Sequence, residues 1–154
     1  MKAVVQLVRQ ARVEILQETG EPPTPPRQIG RGFVVLLGVA REDGEADADM
    51  LVDKLTTLRV FPDEAGKMNL DIRQAGGAFL VVSQFTLLAS TRKGRRPSFE
   101  HAADPASGKE LYQYVAQRLR ATGLVVETGE FGAHMLVELA NDGPVTILLD
   151  TAVL

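Results

Sequence analysis

The 154-residue chain contains no cysteine. That removes disulfide frameworks, thiolate metal sites and cysteine nucleophiles together. It has two histidines, His101 and His134. A three-histidine zinc site is therefore impossible, and a Ser-His-Asp triad has only these two to draw on. Long apolar runs are missing too. The longest, from Phe33 to Ala40 with Gly38 counted, has eight residues, against about 20 for a membrane-spanning helix. The opening MKAVVQLVRQAR is interrupted by Gln6, Arg9 and Arg12 and leads to no small-residue cleavage site, so a cytoplasmic protein is expected. There is no GxGxxG or Walker-type loop, no HExxH and no GxSxG. Acidic residues show no metal-ligand pattern. Neither a metal nor another cofactor is expected.

What is present looks globular. Hydrophobic residues make up 45% and charged residues 24%, near the average for soluble domains. A chain of this length fits one domain that buries about 70% of its unfolded surface. The formal charge is −3, which argues against a general nucleic-acid coat. The distribution is uneven, because Arg92, Lys93, Arg95 and Arg96 lie within five residues. Taking these four from the total of −3 leaves −7 on the rest. An acidic body with one basic loop would hold a phosphate backbone at one place.

Alternation predicts strands at 2–8 and 11–17. The segment 19–28 holds four prolines and reads as a stiff exposed hairpin loop. A strand with both faces apolar follows at 33–40. Met50, Leu51, Leu55 and Leu58 predict a helix over 47–59, with acidic residues crowding its start and Phe61-Pro62 ending it. A short strand is expected at 67–71 and an apolar one at 78–84. The stretch 88–105 is loop by composition. A second helix is expected over 105–122, with Asp104 as N-cap, Pro105 in its first position, Ser107 with Glu110 as an alternative start, and Gly123 as its stop. Its apolar stripe is Leu111, Tyr114, Val115 and Leu119. Strands are expected at 124–128, 133–140 and 144–150. Two helices among about seven strands give an α/β single compact domain.

Three stretches carry chemistry. Ser83-Gln84-Phe85-Thr86-Leu87 closes an apolar strand. A strand end presents hydroxyls and turning backbone N–H groups that can stabilise an oxyanion, and Thr86 is a possible nucleophile if a base reaches it. Alone, these residues read as groups that satisfy the backbone where a strand stops. Asn141-Asp142-Gly143-Pro144-Val145-Thr146 is strong turn chemistry and, alone, reads as a hairpin turn. Its Gly-Pro unit would be a poor acid or base but a rigid steric gauge. Thr91 to Pro97 reads as a solvated basic loop or as a phosphate contact. His101 is expected in a surface loop, and His134 in a strand facing solvent.

Together, SQFTL at 83–87, RKGRRPSF at 92–99 and NDGPVT at 141–146 closely resemble the D-aminoacyl-tRNA deacylase family. AVVQLV at the start, IGRGFVVLLGV at 29–39, FPDEAGKMNLDI at 61–72 and ETGEFGAHM at 127–135 extend the resemblance over nearly the whole chain. The implied fold is a mixed, mostly antiparallel, barrel-like sheet with two main helices. The implied activity is hydrolysis of the ester between a D-amino acid and the 3′-terminal adenosine of tRNA, and of glycine mischarged on tRNA(Ala). The family is homodimeric, and its cis Gly-Pro pair, here Gly143-Pro144, enters the partner's pocket and rejects L-amino acids.

By the same resemblance the Phe85 N–H is the oxyanion donor, with Ser83 and Gln84 shaping the pocket. Phe131, Met135 and Asn141 are expected at the substrate, and Arg92, Lys93, Arg95 and Arg96 on tRNA phosphates. Attack by water assisted by the ribose 2′-hydroxyl is favoured over a Thr86 nucleophile, and a non-catalytic tRNA-binding module is the third alternative. Two departures stand out. The proline-rich loop is longer than the family pattern, and Arg12 replaces a small polar residue.

Overall fold

The computed structural model describes residues 1–16, 24–92 and 94–154. Residues 19–23 of the proline-rich loop and Lys93 thus lie outside the described residues.

The chain begins as one long strand, β1 (Lys2–Ile15), where two were expected. It pairs antiparallel on one side with β3 (Gly32–Gly38) and then β2 (Arg27–Ile29), and on the other with β8 (Met135–Asp150). The expected loop over 19–28 therefore ends early, because Arg27 and Gln28 join the β1 ladder. β6 (Ala78–Ser83) lies parallel to β3, and β7 (Val126–Thr128) parallel to β6. A two-stranded ribbon of β4 (Phe61–Pro62) and β5 (Met68–Leu70) stands apart. Pro62 thus sits in a strand rather than only ending a helix.

The two long strands switch layers. Ala3, Val5 and Leu7 of β1 face one core, whereas Val8, Ala11, Val13 and Ile15 face a second. An alternation of period two cannot change parity by itself. It changes at a bulge between Val8 and Gln10, where one extra residue, Arg9, is inserted. β8 does the same: Met135, Val137 and Leu139 pack on the second core, Val145, Ile147 and Leu149 on the first. The sheet thereby curls over its own face into a nearly closed, barrel-like shape. Arg27 fastens the curl, its guanidinium donating to the carbonyls of Thr128 (2.6 Å) and Gly129 (3.0 Å). Opposite Glu138 on the ladder, Arg12 forms a cross-strand ion pair, which gives this unexpected residue a partner.

Two helices cover the first core. α1 (Glu45–Thr57) starts and stops two residues before the expected span, because Leu58 is already extended. It buries Ala48, Leu51, Val52 and Leu55, at three- and four-residue steps, and leaves Met50 exposed. α2 (Pro105–Ala121) starts at the expected cap: the Asp104 carboxylate accepts from the Ala106 and Ser107 N–H groups at 3.0 and 3.1 Å. Its buried face holds Tyr112, Val115, Ala116 and Leu119, while Leu111 and Tyr114 flank it half-buried. Among the described residues no helix is long and apolar enough to cross a membrane.

Candidate active site

At the carboxyl end of β6 the chain turns sharply. Ser83 is the last strand residue, and Phe85–Leu88 form a single 3-10 turn. The Gln84 N–H still reaches back to the Leu37 carbonyl of β3 (2.7 Å). Gly38 makes the approach possible. A Cβ there would lie 2.5 Å from Leu88 Cδ2 and 3.0 Å from the Gln84 carbonyl oxygen. A larger residue would displace the Leu88 side chain and crowd the Gln84 carbonyl.

The first N–H groups of a helical turn have no partner within it. Among the described residues, the N–H groups of Phe85 and Thr86 meet no acceptor. The turn therefore offers two adjacent donors at the open end of two parallel strands, the usual place for a ligand in such sheets. Thr86 Oγ1 accepts from the Gln84 amide Nε2. An amide takes no proton at ordinary pH, so this partner orients the hydroxyl without activating it. Neither His101 nor His134 is hydrogen-bonded to Thr86. Both are exposed, His101 beside Glu100 (3.7 Å) and His134 just before β8 rather than in a strand.

The Phe85 ring, 55% exposed, packs edge-on against Phe99 with centroids 4.9 Å apart. This contact ties the turn to the basic loop. Paired bonds between Ser90 and Ser98 (2.7 and 2.9 Å) close the neck of that loop. Arg92, Arg95 and Arg96 are exposed and form no ion pair among the described residues. Three exposed cations thus lie on the loop that Phe99 ties to the Phe85 turn. An open cleft of about 970 Å³ runs alongside, lined in part by Leu88, Ser90, Arg92, Ser98 and His101.

Phe131 and Met135 flank the exit of β7, beside the end of β6. Gly129 donates to the Val81 carbonyl (2.9 Å), and Met135 Sδ lies 3.3 Å from the Glu130 nitrogen. Phe131 packs on Tyr112 (centroids 5.9 Å) and lines a second cleft of about 420 Å³ with Arg27, Lys109 and Arg120. The buried Tyr112 hydroxyl donates to the Val81 carbonyl at 2.9 Å, with the Gly129 carbonyl at 3.4 Å. Burial pushes its pKa up to about 12, so it remains a donor across the neutral range. The sequence reading missed Tyr112. Its only signal was its place on α2, and the spacing there favoured Leu111 and Tyr114.

Gly143 and Pro144 are elsewhere. They do not form a hairpin turn, because β8 runs straight through them along β1. Gln6 pairs with Thr146 and Val8 with Asn141, so four residues, Asp142 to Val145, bulge out opposite Leu7 alone. Gly143 and Pro144 are exposed, and the bond between them is cis. Gly143 has φ +120, and a Cβ on it would lie 2.7 Å from Val145 Cγ2, so the position requires glycine. Leu7 pairs with Phe33, which pairs with Phe79, whereas Leu37 pairs with Ser83. Four residues along the strand and three strand spacings across separate the bulge from Ser83, on the order of 20 Å. One chain does not bring its own Gly143-Pro144 to its own Ser83–Thr86 turn.

The family profile described as D-Tyr-tRNA(Tyr) deacylase matches residues 4–150. A D-aminoacyl-tRNA deacylase of Symbiobacterium thermophilum is 57% identical over 151 residues, covering 98% of this chain and 96% of the relative. One from Anaeromyxobacter dehalogenans is 56% identical, covering 98% and 97%. Among solved structures, the c-Myc DNA unwinding element binding protein superposes with a TM-score of 0.85 at 40% identity, over 97% of this chain and 98% of that one. A structure described as a probable eukaryotic D-amino acid tRNA deacylase superposes at 0.79 with 17% identity, over 96% and 97%. At that identity it speaks for the fold alone.

Proposed function

The chain belongs to the D-Tyr-tRNA(Tyr) deacylase family and is a hydrolase of D-aminoacyl-tRNA, and from this premise we propose a site, a mechanism and a mode of discrimination. The whole chain, 1–154, acts as one catalytic unit. The ester carbonyl of the charged 3′ end sits against the Phe85 N–H, with Thr86 N–H adjacent. Water attacks, helped by the 2′-hydroxyl of the terminal ribose. The observation that carries this reading is the pair of N–H groups that meet no acceptor among the described residues, beside a Thr86 hydroxyl whose partner is an amide. Among the described residues no base is hydrogen-bonded to the Thr86 hydroxyl, which favours a proton relay through the substrate. Ser83 and Gln84 hold the turn in place, and Phe131 and Met135 border the adenosine.

Substrate ending in 2′-deoxyadenosine tests the relay. Its ester is expected to be hydrolysed about 100-fold more slowly, at the lower end of what positioned proton transfer supplies. An unchanged single-turnover rate would remove the 2′-hydroxyl from the mechanism.

Discrimination rests on Gly143-Pro144. Backbone atoms can screen a stereocentre without reading the side chain, so many D-amino acids would pass. Glycine, with no side chain to exclude, passes too, and the chain is proposed to clear glycyl-tRNA(Ala). Since the bulge is far from the turn of its own chain, the gate is proposed to act on a second copy in a homodimer. β8 supports such a pairing. Among the described residues its outer edge has no strand partner, and Leu136 and Leu148 are exposed on it. The enzyme is proposed to work in the cytoplasm, where charged tRNA is found.

The basic loop is proposed to hold acceptor-end phosphates. Replacing Arg92, Arg95 and Arg96 by glutamine is expected to weaken tRNA binding and flatten the log–log salt slope by about 2. A slope equal to wild type would make the loop a solvated surface.

A further inference from the structure

We propose that Asn141 is a positioning residue that fixes the Gly143-Pro144 gate, with Arg9 as its outer strut. This rests on the reading that the gate screens the stereocentre. A steric gauge works only if it cannot yield, and a four-residue excursion opposite one residue is a weak structure unless something closes it. Asn141 closes it. Its side-chain amide nitrogen donates to the Leu7 carbonyl (3.1 Å) and to the Val145 carbonyl (3.0 Å). The first bond ties the neck to β1, at the residue the bulge leaves without a partner on β8. The second spans the neck from the residue before the bulge to its last residue. Both amide hydrogens are engaged within the chain, in a half-buried position.

Arg9 supports the other flank. It is the extra residue of the second bulge, between Val8 and Gln10, and has no opposite number on β8. Its side chain is therefore free to lean along the edge, and Nε lies 3.3 Å from Asp142 Oδ2. Asp142 immediately precedes Gly143. Val145 anchors the far side by packing partly against the first core. The gate is thus held by a neck clamp, a strut and an apolar anchor. The two neighbouring bulges have different tasks: one projects the gate, the other projects the arginine that braces it.

The test is the rate of amino acid release from L-tyrosyl-tRNA and D-tyrosyl-tRNA by full-length Asn141→Ala, Asn141→Ser and Arg9→Met, with the melting temperature of each. In Asn141→Ala the L-to-D ratio of kcat/KM is expected to rise about 10-fold or more, as a misplacement near 1 Å permits. Asn141→Ser keeps one donor and should fall between it and wild type. Arg9→Met should raise the ratio about 3-fold, in line with an exposed ion pair. A gain in L-ester cleavage is the discriminating readout, because partial unfolding lowers both rates. If Asn141→Ala does not fold, the other two variants carry the test. An L-to-D ratio at the wild-type value in the folded variants, while Pro144→Gly raises it, overturns the positioning role and leaves the gate standing. A wild-type ratio in Pro144→Gly itself overturns the gate reading, and this inference with it.

Discussion

Tyrosine release from D-tyrosyl-tRNA is expected to exceed release from L-tyrosyl-tRNA by about 100-fold or more, and Pro144→Gly is expected to bring that ratio below about 10. A hundredfold ratio corresponds to about 2.7 kcal/mol, within reach of one steric collision between a substituent and fixed backbone. Pro144 sits at the outer part of the bulge with its ring exposed. Glycine in its place removes the ring and frees the backbone of the gate, so an L-substituent no longer meets a fixed wall. The loss should appear in the L-ester rate, which rises. A ratio that stays above 100 in a folded Pro144→Gly chain would dissociate this bulge from chirality.

If the gate reaches the turn of a second copy, dilution below the dimer dissociation constant removes the gate from each chain. The L-to-D ratio of rates is then expected to rise on dilution. A concentration-independent, D-selective rate in a monomer shown by sedimentation would exclude a cross-subunit gate.

Much of this arrangement could be read from the residues, for identifiable reasons. α2 was legible because its cap, its first-position proline and its terminal glycine all agree, and local chemistry of that kind needs no partner to be recognised. β3 and β6 were legible because strands covered on both faces are apolar throughout. The long strands were not. A bulge and a hairpin turn use the same residues, and Asn-Asp-Gly-Pro satisfies either. Only the opposite strand decides, since a hairpin reverses against its own chain whereas β8 keeps β1 as its neighbour. The short strand β2 was hidden by the prolines before it. At the site, the local chemistry of Ser83–Thr86 was visible, but its remoteness from Gly143 is a property of the ladder. The edge-on contact of Phe99 with Phe85, which draws the basic loop to the turn, is likewise non-local.

Phe85→Pro is expected to lower the single-turnover rate on D-tyrosyl-tRNA by 10²–10³-fold, the usual result of removing one oxyanion donor. The substitution is suited to this position. Phe85 opens the 3-10 turn, its N–H meets no acceptor among the described residues, and proline is tolerated where a helical turn begins. It removes the donor and the ring together, so Phe85→Ala is the necessary companion. That variant keeps the N–H and loses only the packing on Phe99, and its rate should stay within about 10-fold of wild type, as for loss of one aromatic contact. Thr86→Ala completes the set. A covalent route through Thr86 demands near-complete loss and an acyl-enzyme in the wild type. The amide partner of its hydroxyl argues for a drop of only a few-fold and no trapped intermediate. If Phe85→Pro and Phe85→Ala are equally impaired, the ring and not the N–H is what matters. If Thr86→Ala is inactive with an ester trapped in wild type, the substrate-assisted mechanism gives way to a threonine esterase. The three rates together separate backbone, ring and hydroxyl, which the motif places within two consecutive residues.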